Sequence, residues 1–139
     1  MVEIIAGEKG KGKTKYLLEK VNNSVKQASG NVVYLDKSQK HMHELDPKVR
    51  LINVTEFPIE NSDQFLGFIC GIVSQDYDLQ ELYFDSFLTI AHLESEDITP
   101  AIDKLEMISE KYNVKFVLSM SRNECDLPDS IKPKLVVSL

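Results

Sequence analysis

An α/β fold of three layers, with helices on both faces of a mainly parallel sheet, is what this sequence predicts. Short runs rich in Val, Ile, Leu, Phe and Tyr alternate along the chain with stretches of helical period. Several of the short runs are continuously apolar, the pattern of strands buried on both faces. The 139 residues carry no internal repeat and no low-complexity linker, so a single domain is expected to span 1–139.

The first strand is expected at 2–6 and runs into a glycine-rich segment. A helix over 13–27 follows, with Tyr16, Leu17, Val21 and Val25 on one face and its end before Gly30. Strands at 31–36 and 50–54 come next. The helix at 62–74 sets Phe65, Leu66, Ile69, Ile72 and Val73 at helical spacing, with Ser62 or Asp63 as its N-cap. Gly67 and Gly71 leave one side of it nearly smooth, suited to lying close on the sheet. A strand at 82–85 ends in an aspartate. The helix at 99–111 repeats the pattern with Ile102, Leu105 and Ile108, and Pro100 is tolerated in its first turn. Strands at 115–120 and 134–138 complete the domain.

Composition supplies a core: 42% of residues are hydrophobic and 27% charged, which excludes a disordered or collagen-like chain. The longest apolar run, Phe65 to Val73, falls short of the ~20 residues a membrane-spanning helix needs. No charged-then-apolar leader follows Met1, so the expectation is a soluble, cytoplasmic protein with no membrane partner. Cys70 and Cys125 show neither a disulfide framework nor zinc spacing. Residues 1–50 carry ten Lys or Arg against six acids, and residues 51–139 carry six against sixteen. That balance disfavours nucleic acid as a partner, while the basic first part suits a small phosphate-bearing ligand.

Directly after the first strand stands Gly7-Glu8-Lys9-Gly10-Lys11-Gly12-Lys13-Thr14, which satisfies G-x-x-x-x-G-K-[ST] and opens the first helix. At average amino-acid usage, a chain of this length matches that pattern by chance roughly once in two hundred. Glycines let the backbone wrap closely around phosphates, successive N–H groups form an anion nest, and the helix adds the positive end of its dipole. Lys13 would bridge the β and γ phosphates, and Thr14 would offer its hydroxyl to Mg²⁺. Lys9, Lys11 and Lys15 lie outside the fixed positions and read either as solvating surface lysines or as a source of positive potential around the loop that would help bind the ligand.

On these residues the chain resembles the P-loop NTPase superfamily through its Walker A element, which implies that superfamily's fold. Leu82-Tyr83-Phe84-Asp85 is similar to a Walker B strand, and the resemblance implies that Asp85 and Thr14 hold Mg²⁺. The order of elements resembles the RecA-like, additional-strand branch, which requires a strand between these two elements; 31–36 or 50–54 is expected to supply it. That branch carries a catalytic glutamate, but Ser86 follows Asp85 here, and Asp36 is the local substitute for orienting a water. The strand at 115–120 ends in hydroxyls, so the resemblance makes Ser119, Ser121 or Asn123 a γ-phosphate sensor. Of the two arginines, Arg50 and Arg122, the second is the better candidate for an arginine finger.

Neighbouring readings fit less well. Glu8 stands where the ParA/MinD-like branch has its signature lysine, and Asn123-Glu124-Cys125-Asp126 puts Glu where guanine-specific GTPases need Lys. A dinucleotide fold would want glycine at Lys15. A small P-loop kinase usually clamps two phosphate chains with several arginines, and two are few, though 36–58 offers space for an acceptor. His41, His43 and His92 have no cysteine or carboxylate at ligand spacing apart from Glu44, and read as exposed loop or helix residues. The expected function is Mg²⁺-dependent binding of a nucleoside triphosphate, ATP before GTP, with slow or partner-stimulated hydrolysis. Lys13, Asp36, Asp85, Ser119 and Arg122 would act in catalysis. The alternative is a module that binds nucleotide without cleaving it and switches a protein partner or homo-oligomer.

Overall fold

The computed structural model describes residues 1–139. Its strands are β1 (Val2–Ala6), β2 (Asn31–Asp36), β3 (Val49–Asn53), β4 (Leu79–Phe84), β5 (Lys115–Met120) and β6 (Leu135–Ser138). Its helices are α1 (Lys13–Val25), α2 (Ser62–Gln75), α3 (Phe87–Ile90) and α4 (Thr99–Tyr112). The strands form one sheet in the order β3-β2-β4-β5-β1-β6, and every neighbouring pair is parallel.

Adjacent strand residues point to opposite faces, so the sheet divides the core in two. On one face Leu17, Leu18, Val21 and Val25 of α1 pack against Ile5, Val32, Tyr34, Tyr83 and Val117. On the other, residues of α2, α3 and α4 such as Phe65, Phe87 and Ile102 cover Ile4, Val33, Leu82, Phe84 and Phe116. Phe84 meets Phe87 and Phe116 edge-on, with ring centroids 5.9 and 5.5 Å apart. The four inner strands are buried almost throughout, as their continuous apolar sequence predicts, while the edge strands β3 and β6 are half-exposed.

Several sequence expectations are corrected. The strand between β1 and β4 is β5, the last of the inner strands in the chain, and not 31–36 or 50–54, which lie beyond β4. Gln80 and Glu81 concealed the start of β4; Glu81 is buried because Ser24 and Tyr83 hydroxyls donate to it at 2.7 and 2.8 Å. β3 spans Val49–Asn53 where 50–54 was expected, because Val54 already begins a 3₁₀ turn. Asn61, not Ser62 or Asp63, caps α2, its side chain accepting from the Gln64 amide at 2.9 Å. A Cβ at Gly67 or Gly71 would meet nothing within 4 Å, so these glycines face outward while Phe65, Leu66, Ile69 and Val73 face the core. No helix is long and apolar enough to cross a membrane.

A candidate phosphate and cation site at the strand ends

In a wholly parallel sheet all strands end on one side, and a binding crevice forms outside those carboxyl ends. Ala6, Asp36, Phe84 and Met120 close their strands there. A cavity of about 480 Å³ opens above them, lined by Lys9, Gly10, Gly12, Lys13, Thr14, Lys37, Asp85, Ser86, Thr89, Glu94, Ser119 and Ser121, with Leu88 its single hydrophobic residue. So polar a lining suits a charged, strongly hydrated ligand and not an apolar one.

The floor of the cavity is built by α1. Gly12 precedes the helix in left-handed conformation at φ 89, and no side chain caps the first amides. These N–H groups therefore stay free for an external acceptor, at the positive end of the helix dipole. Gly10, at φ 81, makes the preceding turn in a region that side chains rarely adopt. Lys13 Nζ donates to the Glu8 carbonyl at 2.8 Å, which folds the lysine over the loop. Burial of the ammonium holds Lys13 below the ordinary lysine value, the nearby Asp85 opposes that, and Lys9 reinforces it.

Asp85 is the hub. Its Oδ1 accepts from Thr14 Oγ1 and from Ser119 Oγ, each at 3.1 Å, and its Oδ2 accepts from Tyr34 Oη at 2.7 Å. Three elements thus converge on one carboxylate that is 2% exposed. Burial, then the Asp85 charge, raises the Tyr34 phenol, which stays a donor. Ser86 follows in left-handed conformation at φ 55, and its amide donates to Ser119 Oγ at 3.0 Å. The strained residue keeps the chain turning sharply away from the aspartate.

Asp36, also 2% exposed, does not line the cavity but lies beside it. Its Oδ1 accepts from the Lys37 amide at 2.7 Å, while its buried Oδ2 has no partner. Burial, followed by the Asp85 charge, raises Asp36 above the usual carboxylate range, and the Lys37 amide opposes the shift. One ligand atom each from Asp36, His41 and Asp85 lie within 4.8 Å of one another.

The structure thus brings together Lys9, Gly10, Gly12, Lys13, Thr14, Asp85, Ser119 and Ser121, and places other predicted residues elsewhere. Ser119 spends its hydroxyl on Asp85, so it orients that carboxylate. Gly7 packs against the Leu139 backbone, and Glu8 is fastened by the Asn123 amide at 3.0 Å. Lys11 and Lys15 are absent from the cavity wall, Lys15 lying in a separate groove beside α1. Arg122 does not reach the cavity as a finger would. Its Nη2 donates to the carbonyls of Leu93, Glu94 and Glu96 at 3.2, 3.4 and 2.9 Å, so it braces the loop that carries Glu94. Lys37, Thr89 and Glu94 were not singled out from sequence, where no motif marks them. Neither a scan against protein-family models nor a search of curated proteins returns a match for this chain.

Proposed function

We propose that this protein binds a Mg²⁺-nucleoside triphosphate in the cavity above the Gly7–Thr14 segment, as a small P-loop NTPase of RecA-like type, with ATP preferred to GTP. The observation that carries the reading is the 3.1 Å contact between Thr14 Oγ1, at the head of an uncapped helix, and the buried Asp85 carboxylate at the end of β4. Hard oxygen donors of this kind fit Mg²⁺, which keeps several waters and takes few protein ligands. Thr14 and Asp85 would hold the ion, which when bound neutralises charge on the phosphates. The amides at the start of α1 and the Lys13 ammonium would receive phosphate oxygens, Lys13 leaving the Glu8 carbonyl to do so. The intervening strand β5 between β1 and β4 is also the arrangement that the RecA-like reading requires.

Cleavage of the β–γ bond needs a group that orients water. Asp36 was expected to serve, but it stands outside the cavity wall, and Glu94 is the carboxylate besides Asp85 that lines it. We assign water orientation to Glu94 and the bracing of its loop to Arg122, with turnover slow until a partner closes the open side. The test is calorimetric titration of Mg²⁺-ATP and Mg²⁺-GTP into wild type and Lys13→Ala, followed by phosphate release from the same samples. Binding that Lys13→Ala abolishes, with ATP bound more tightly, supports the reading. Binding without any phosphate release leaves a nucleotide-switched module, and no binding of either nucleotide at millimolar concentration overturns the proposal.

A further inference from the structure

Asp36 and Asp85 are each 2% exposed and share one end of the sheet, yet no Lys or Arg side-chain nitrogen comes within 4.0 Å of either carboxylate. Two buried carboxylates in such proximity repel and are costly unless a cation or a proton compensates them. The Oδ2 atom of Asp36 has no hydrogen-bond partner at all, although a buried carboxylate oxygen normally has one. The third group facing this pair is an imidazole. His41 lies just before the 3₁₀ turn Met42–Glu44, and its Nδ1 is 3.1 Å from Glu44 Oε2. A carboxylate on one ring nitrogen fixes the tautomer and directs the other nitrogen outward as a ligand, the arrangement common in metal-bound histidines.

We infer that Asp36, His41 and Asp85 form a binding site for a first-row divalent transition metal, which shares only Asp85 with the Mg²⁺ that would travel with a nucleotide. The ligand atoms lie within 4.8 Å of one another. Donors about 2.1 Å from a shared ion stand about 3 to 4 Å apart, so a small contraction of the three side chains completes the site. One imidazole with two carboxylates selects Mn²⁺ or Zn²⁺ over Mg²⁺ or Ca²⁺, which take oxygen almost exclusively. The ion would join the end of β2, the loop after it and the end of β4. It needs no nucleotide, so the inference does not rest on the function proposed above.

The probe is Mn²⁺ alone, added to the chelator-treated full chain without nucleotide, with free Mn²⁺ read by electron paramagnetic resonance. One Mn²⁺ per chain is expected, displaced by equimolar Zn²⁺ and retained in a tenfold excess of Mg²⁺. His41→Ala and Asp36→Asn each weaken binding by about tenfold or more; His43→Ala leaves it unchanged, and Lys13→Ala, which removes a positive charge near Asp85, does not weaken it. Thermal melts of each variant establish that it is folded, and His41, being partly exposed, is the safer of the two ligand substitutions. No stoichiometric Mn²⁺ binding by wild type, or binding that His41→Ala leaves intact, overturns the inference. Loss of nucleotide binding in Lys13→Ala with Mn²⁺ binding preserved separates this site from the phosphate site.

Discussion

Tyr34 Oη donates a 2.7 Å hydrogen bond to Asp85 Oδ2, joining β2 to the residue that follows β4. Both residues are buried, and the Tyr34 ring also stacks on Tyr83 with centroids 6.4 Å apart. The tyrosine therefore supports Asp85 from behind, leaving Oδ1 toward Thr14 and Ser119.

Tyr34→Phe removes the donor while preserving the ring, so Asp85 Oδ2 loses its one direct partner. The expected cost is about 1–3 kcal/mol, the range for a buried acceptor left unsatisfied. Urea unfolding of the two proteins measures it. No measurable change would mean that water replaces the hydroxyl as the partner of Asp85 Oδ2.

Glu94→Gln is expected to lower phosphate release by about a hundredfold, with nucleotide affinity unchanged, because an amide cannot accept the proton or orient water as a carboxylate does. Arg122→Ala acts on the same loop indirectly. It frees three backbone carbonyls between Leu93 and Glu96, so amide hydrogen exchange in 93–97 should rise together with the loss of turnover. Unchanged exchange with lost turnover would place Arg122 in contact with substrate instead.

Gly30→Ala tests a packing constraint remote from the site. A Cβ there would fall 2.1 Å from the Asp78 carbonyl oxygen, which also accepts from the Asn31 amide at 2.6 Å as β2 begins. Backbone must shift to admit it, and a destabilisation of about 1–3 kcal/mol is expected. A neutral substitution in thermal unfolding would show that this turn is free to move.

Glu106 links α4 to the segment before β6. Burial pushes its carboxyl up, but Lys134 Nζ at 2.5 Å and the terminal amine outweigh that and hold it below the usual range. A carboxyl lowered by folding stabilises fully above its unfolded value of about 4.3, and its contribution disappears as pH falls through the folded value. The melting-temperature gap between wild type and Glu106→Gln should therefore be widest near neutrality and shrink on acidification below about pH 4.3. A gap that is constant with pH would assign the effect to packing and not to charge.

Much of the fold was legible because its signals are local. The continuous Val32-Val33-Tyr34-Leu35 run marks strand β2, and Pro100 with the Ile102, Leu105 and Ile108 spacing marks α4. The start of β4 was missed where buried Glu81 imitates a surface residue, and α3 is too short to show a period.

Local pattern along the chain carries the α/β alternation, the glycine-rich turn feeding α1, and an aspartate at the end of a hydrophobic run, one residue past β4. These are patterns of neighbours along the chain, and period, caps and turns act over a few residues. Lateral strand order, the convergence of Thr14, Tyr34 and Ser119 on Asp85, and the meeting of His41 with two aspartates were decided by tertiary structure alone. The contacts to Asp85 join residues tens of positions apart, brought together because parallel strands in register align their ends. Which strands become neighbours depends on how helices cover both faces of the sheet, a property of the whole core that no short segment carries.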